Sequence, residues 1–363
     1  MAGLGLEALL LANGPNLFYF TGFAAGRSGS RPTILILPQA GEPVLLVHQG
    51  RQFEARHFTA VADIRTYAPL SEIPLALIGE VLSEKRLARV GLELGQEHYL
   101  DVQISDFQRL QATLPHLTFV DAASLLWQLR GIKSSAEIAA IGQACHITGQ
   151  AYDRLFAQIQ AGMSEAELEA LMHTAMLALG GRSTWVLITS GSGFYDLVSK
   201  GASQRRVEPG DMVWLDAGCS VDGYYADFSR AGVVGGPSQR QQQLQQQIHA
   251  ITLAGVEMMR PGVRLAEIAQ FCQAEVGRLA GPMTSNIAGL AGRVGHGLGL
   301  AVTEWPSIEP NHQLVLQPGM VLTIEPGVAT TFGTFHVEEN VVVTETEPMI
   351  LSQCGWELRA LAG

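Results

Sequence analysis

The sequence predicts a two-domain α/β (α+β) chain whose second domain is built from two related halves. Three observations predict it: short β-rich runs give way to helical patterns before about residue 120, a long helical pattern restarts near Ala136, and segments beyond that point repeat one another. At 363 residues the chain also exceeds a usual single core.

In the first part, ALLLA, LFYFTGF, PTILILP and PVLLVHQ read as strands broken by Gly and Pro, and helical patterns follow near residues 71–86 and 100–113. The opening stretch MAGLGLEALLLANGPNLFYF has no basic flank, and Glu7 interrupts it, so a first strand is expected there rather than a signal peptide. LLWQLRGIKSS then leads into the helix near Ala136. The boundary is placed close to Lys133, giving a small α/β domain over 1–130 and a second domain over 131–363.

Within the second domain, AGMSEAELEALM (161–172) and PGVRLAEIAQFC (261–272) share spacing, a Gly at the same place and helical periodicity. Ser164 and Glu167 form a capping-box pattern at the first of these helices, and the second lacks it. Downstream, VEPGDMVWLDAG (207–218) resembles LQPGMVLTIEPG (316–327): a Pro-Gly turn, an apolar strand, then a carboxylate. Asp216 thus corresponds to Glu325, and a second carboxylate follows each, Asp227 in YYADFSR and Glu338 in FHVEENVVV. The Gln-rich run at 239–250 reads as a solvated helix face with Leu244 and Ile248 turned inward.

Composition narrows the function. Apolar residues make up 47% of the chain and charged residues only 16%, as in a packed globular protein. With 23 Lys and Arg against 34 Asp and Glu, the net charge of −11 disfavours nucleic acid and anionic membranes as partners. No apolar run reaches the roughly 18–20 residues that span a bilayer. Cys145, Cys219, Cys272 and Cys354 form no CxxC pair and read as buried small hydrophobes, which places the chain in a reducing, cytoplasmic setting.

The chemistry is expected at the four carboxylates. Asp216 and Glu325 each end a strand apolar enough to be buried on both faces (MVWL, MVLTI), where an unpaired charge costs several kcal/mol. Any one of them alone reads as a turn cap; their recurrence at matched places favours a metal. His296, in VGHGLGLAVTEWP, is flanked by glycines that let the backbone approach closely and leave the ring accessible. Four carboxylates and one imidazole suit a pair of divalent ions such as Mn²⁺, Co²⁺, Zn²⁺ or Fe²⁺.

DAGCSVDGYYADFSR, GHGLGL, TIEPG and HVEEN, in that order, resemble the signatures of the pita-bread metallopeptidases, which include Xaa-Pro dipeptidases (prolidases), aminopeptidase P, methionine aminopeptidases and creatinase. Residues 1–130 resemble the creatinase-type N-terminal domain of prolidase-like members. The resemblance implies a pita-bread domain with an internal pseudo-two-fold repeat, two bound ions with Mn²⁺ first, a small Xaa-Pro peptide substrate and a homodimer. Asp216 would chelate one ion, His296 and Glu325 the other, and Asp227 and Glu338 would bridge them. Glu325 would also take the proton of a bridging water whose hydroxide attacks the carbonyl.

The outer pattern departs from the family. A second family His, seven residues after the first, is Thr303 here, and an upstream one falls at Ser199. The Arg two residues before the last Glu is His336, which could act as a donor in its place. Thr303, His336 and one of Tyr224 and Tyr225 are therefore candidate substrate contacts; His312 reads as a loop residue. The alternatives are a relative acting on a non-peptide C–N bond or as a lyase, and a non-catalytic binding module. Retention of every metal ligand weighs against the last.

Overall fold

The computed structural model describes residues 1–24, 31–70, 73–279 and 283–363. The chain divides into two compact units, Met1–Arg130 and Gly131–Gly363.

The first unit is a six-stranded sheet in the order Asp63–Tyr67, Val44–His48, Ile34–Pro38, Ala8–Leu11, Arg89–Leu92, Thr118–Asp121. Its four central strands are largely apolar, their two faces both covered, whereas the edge strands DIRTY and TFVD are polar and more exposed. Leu10, Ile36 and Leu46 pack on one side with Ile78 and Leu110, while Leu9, Leu35 and Leu45 pack on the other with Leu17 and Leu126. The helix expected near 71–86 spans Leu75–Glu84, residues 71 and 72 lying outside the described set; the next is Ile104–Thr113. One expected strand is wrong. LFYFTGF lies in and just after a helix, Gly14–Thr21, which has Pro in its first turn and ends on Gly22 in the left-handed region. Pro at a helix start and Gly past its end outweigh the β preference of Phe and Tyr.

In the second unit each half has a pair of long helices and a set of strands, and the second half adds a short helix, Ile287–Ala291. Ser135–Phe156 and Glu165–Ala178 both begin on complete capping boxes, Ser134 with Glu137 and Ser164 with Glu167. Gln239–Glu257 and Leu265–Gly277 are their counterparts, the latter without a side-chain cap. The repeat extends to single backbone bonds. Gly162 N–H donates to Val207 O (2.8 Å) and Glu165 N–H to Arg205 O (2.9 Å), while Gly262 N–H donates to Leu316 O and Leu265 N–H to Leu314 O, both at 3.0 Å. The two Pro-Gly turns match as well, Gly210 at φ 90° and Gly319 at φ 86°, a region that side chains rarely enter.

The Gln-rich helix is only partly solvated. Gln241 closes a third capping box with Ser238 and donates to Phe332 O, and Gln245 donates to Trp356 O; both are buried, whereas Leu244 is half-buried. Cys145, Cys219 and Cys272 are buried free thiols, as expected, but Cys354 is half-buried. Among the described residues no helix is long and apolar enough to cross a membrane.

Candidate metal centre

Two hairpin-like strand pairs carry the carboxylates. Met212–Val221 pairs antiparallel with Phe228–Val234, and its odd positions Val213, Leu215, Ala217 and Cys219 pack on the first-half helices. Alternation turns Asp216 to the opposite face with Met212 and Trp214. Asp216 therefore sits mid-strand, not at a strand end, because the strand continues through AGCSV. Asp227 directly precedes Phe228–Val234.

In the second half, Val321–Ile324 pairs with Glu339–Val342, and Gly327–Thr330 pairs with Gly333–His336 in the same register. The register places Glu325 and Glu338 opposite each other at the break between these two ladders, where both carboxylates leave the regular sheet.

Ligand atoms of Asp227, His296 and Glu338 lie within 4.8 Å of one another, as do those of Glu325, His336 and Glu338. Glu338 is common to both triads. His296 Nε2 is 3.3 Å from Asp227 Oδ2 and 3.8 Å from Glu325 Oε1, while His336 Nε2 is 3.6 Å from Glu325 Oε2. The Asp227, His296 and His336 side chains are each 4% exposed against 17% for Glu325, and Asp216 is half-buried like Glu325.

The His296 ring is thus buried rather than accessible. Its flanking glycines serve strand contact: a Cβ at Gly295 would meet Thr323 O at 2.2 Å, and one at Gly297 would meet Trp305 O at 2.6 Å.

Electrostatically the cluster is overcharged. Burial raises Asp216 well above the usual carboxylate range, with Asp227 and Glu325 adding to it. Burial does the same for Glu338, reinforced by Asp227, Asp216 and Glu325. Asp227 is raised by burial against the pull of His296. Burial also acts on Glu325, but His336, His296 and Arg293 outweigh it and lower the group. His296 is raised, its burial overcome by Asp227 and Glu325.

Asp216 Oδ1 and both oxygens of Glu338 are buried with no hydrogen-bond partner among the described residues. Orphaned acceptors of this kind fit a bound cation. The donor set, carboxylates with imidazole nitrogen, fits divalent transition ions.

The remaining candidates are distributed differently. Thr303 is exposed on the bend before Glu304, and no described contact joins it to the cluster. Ser199 is exposed and lines a cavity of about 400 Å³ with Leu197, Val198, Ile287 and Leu290. Tyr224 Oη donates to Glu137 Oε1 at 2.7 Å, in the capping box of the first helix. Tyr225 N–H donates to Gly299 O, and His312 is in a loop beside Trp305.

Three neighbours of the cluster were not legible in the sequence. Arg293 Nε is 3.8 Å from Glu325 Oε1; Ser229 Oγ is 2.8 Å from His336 Nδ1; Asn340 bonds the backbone of Asp227. Only position hinted at them, since each lies within three residues of an expected ligand.

Comparison with known proteins places this geometry. The chain is 27% identical to a Xaa-Pro dipeptidase of Pyrococcus horikoshii over 97% of its own length and 94% of that protein's. Its fold matches an X-Pro aminopeptidase from Thermotoga maritima with TM-score 0.86 at 22% identity, covering 99% of this chain and 97% of that one. Dipeptidase PepE from Mycobacterium ulcerans matches with TM-score 0.84 at 26% identity, covering 100% and 95%. Residues 1–132 match the creatinase/prolidase N-terminal domain. Residues 139–345, more than half of the sequence, match the catalytic family itself, and the chain belongs to metallopeptidase family M24.

Proposed function

We propose that this peptidase is dinuclear and cleaves Xaa-Pro dipeptides or N-terminal Xaa-Pro bonds, with Asp216, Asp227, His296, Glu325 and Glu338 as metal ligands. Glu338 carries the reading. Both of its oxygens are buried with no hydrogen-bond partner among the described residues, and it is shared by two triads of ligand-type atoms. The substrate class is supported by the names of the relatives, a Xaa-Pro dipeptidase and an X-Pro aminopeptidase.

When bound, two divalent ions, Mn²⁺ first and Co²⁺, Zn²⁺ or Fe²⁺ as alternatives, lower the pKa of a water and polarise the scissile carbonyl. Glu325, half-buried and 17% exposed, accepts the proton of the attacking water. Arg293, half-buried beside it, supplies positive charge where a peptide carboxylate or developing oxyanion arrives. Thr303, facing solvent, is assigned a contact with substrate only. Residues 131–363 carry the chemistry. The proposal includes a cytoplasmic homodimer, which sedimentation and cell fractionation test.

The reaction is tested on a panel of Xaa-Pro dipeptides, longer Xaa-Pro peptides and Pro-Xaa controls. Chelated protein is expected to be silent and metal-reloaded protein to cleave the Xaa-Pro substrates. No Xaa-Pro cleavage by protein carrying both ions overturns the substrate assignment.

A further inference from the structure

The two imidazoles of the cluster are held in the same way. His296 Nδ1 is 2.9 Å from Gly297 O. A carbonyl only accepts, so Nδ1 carries the hydrogen, and Nε2, facing Asp227 and Glu325, is the nitrogen that can give its lone pair to an ion.

His336 Nδ1 is 2.8 Å from Ser229 Oγ, and the same hydroxyl donates to the His336 backbone carbonyl at 3.0 Å. Ser229 has one hydroxyl hydrogen, which that carbonyl takes. Its oxygen therefore accepts from Nδ1–H, and Nε2 is the ring nitrogen that faces Glu325. Trp214 fixes the ring further, donating from Nε1 to the His336 carbonyl at 3.4 Å and meeting the imidazole edge-to-face with centroids 5.4 Å apart.

A lone pair facing a carboxylate at 3.6 Å is repulsive unless something positive lies between them. The gap is long for a charge-assisted hydrogen bond, typically about 2.7–2.9 Å. It suits two ligand atoms of one ion: at bonds of about 2.1 Å and a tetrahedral angle they stand roughly 3.4 Å apart.

We infer that His336 Nε2 is a sixth metal ligand: Glu325, His336 and Glu338 hold one ion and Asp227, His296 and Glu338 the other, so that each takes one imidazole and Glu325 leaves the ion it was expected to share with His296. This rests on the dinuclear reading above and replaces the donor role first expected of His336. Ser229 is then a positioning residue that sets the tautomer of His336. A nitrogen at both sites also shifts their preference from oxygen-seeking ions towards Co²⁺ and Zn²⁺.

The test is Co²⁺ binding to the full-length protein by equilibrium dialysis, with circular dichroism to confirm folding. Wild type is expected to bind two ions per chain, with His336→Arg and His336→Ala weakening one of them at least tenfold. Arginine keeps a positive donor but has no lone pair, so it separates ligand from donor. Ser229→Ala is expected to weaken the same ion by about tenfold.

Two wild-type ions with His336→Arg unchanged overturns this inference alone. A single wild-type ion overturns the dinuclear reading and this inference with it. Should the variants not fold, wild-type Co²⁺ protein decides by proton NMR: two hyperfine-shifted, exchangeable imidazole N–H signals are expected, and one overturns the inference.

Discussion

Asn340 holds Asp227 by its backbone at both ends: Asn340 Oδ1 accepts from Asp227 N–H at 3.0 Å, and Asn340 Nδ2 donates to Asp227 O. The amide sits on a strand of the second half and fixes a carboxylate of the first, so the two halves are locked where the ligands converge. Asn340→Ala is expected to lower affinity for one ion by about 10–100-fold while leaving Asp227 itself intact. Isothermal titration with Mn²⁺ checks this; unchanged affinity removes Asn340 from the supporting frame.

Glu338 gives opposite expectations with and without metal. In chelated protein burial holds this acid well above the usual carboxylate range, a cost that glutamine does not carry, so Glu338→Gln is expected to raise the melting temperature. In metal-loaded protein the same change removes a ligand and is expected to lower it. Scanning calorimetry of both proteins with chelator and with Mn²⁺ measures the crossing. A variant less stable in both states contradicts the assignment.

Arg293 is expected to act on substrate rather than on metal. Arg293→Met should raise KM for a dipeptide by about 10–100-fold, the loss of one charge-assisted contact, at unchanged metal content. Steady-state kinetics with elemental analysis separates the two effects, and loss of an ion instead of substrate affinity refutes the role.

How legible the site was in the sequence follows from what each residue does. Asp216 and Glu325 could be matched because Gly210 and Gly319 hold equivalent left-handed turns ahead of them, a constraint that leaves the same Pro-Gly mark twice. The helix at Gly14–Thr21 was misread because its aromatic residues favour strands, and the decisive signals were Pro15 and Gly22 at its ends. Ser229, Arg293 and Asn340 owe their importance to partners 32 to 113 residues away, which no local pattern encodes. His296 was found for a partly wrong reason, since its glycines bring strands together and bury the ring.

The first unit carries its own pH dependence. Burial pushes Glu93 up to about 7 from an ordinary 4.5, against donors from Ala12 N, Asn13 N and Asn16 Nδ2. Between those values the unfolded chain has lost the proton that the folded one keeps. Stability therefore falls as pH rises from about 4.5 to about 7, by on the order of 3 kcal/mol, and then levels off. Urea midpoints across that window are expected to drop in wild type and to flatten in Glu93→Gln; parallel curves reject the link.

The central claim is that two ions, held by the cluster around Glu338, make this chain an Xaa-Pro peptidase. Its most direct test is to titrate chelated protein with Mn²⁺ while following hydrolysis of one Xaa-Pro dipeptide and the metal bound per chain. The account predicts that activity reaches its plateau at two bound equivalents and is abolished in Asp216→Asn. Full activity at one equivalent, or in that variant, would contradict it.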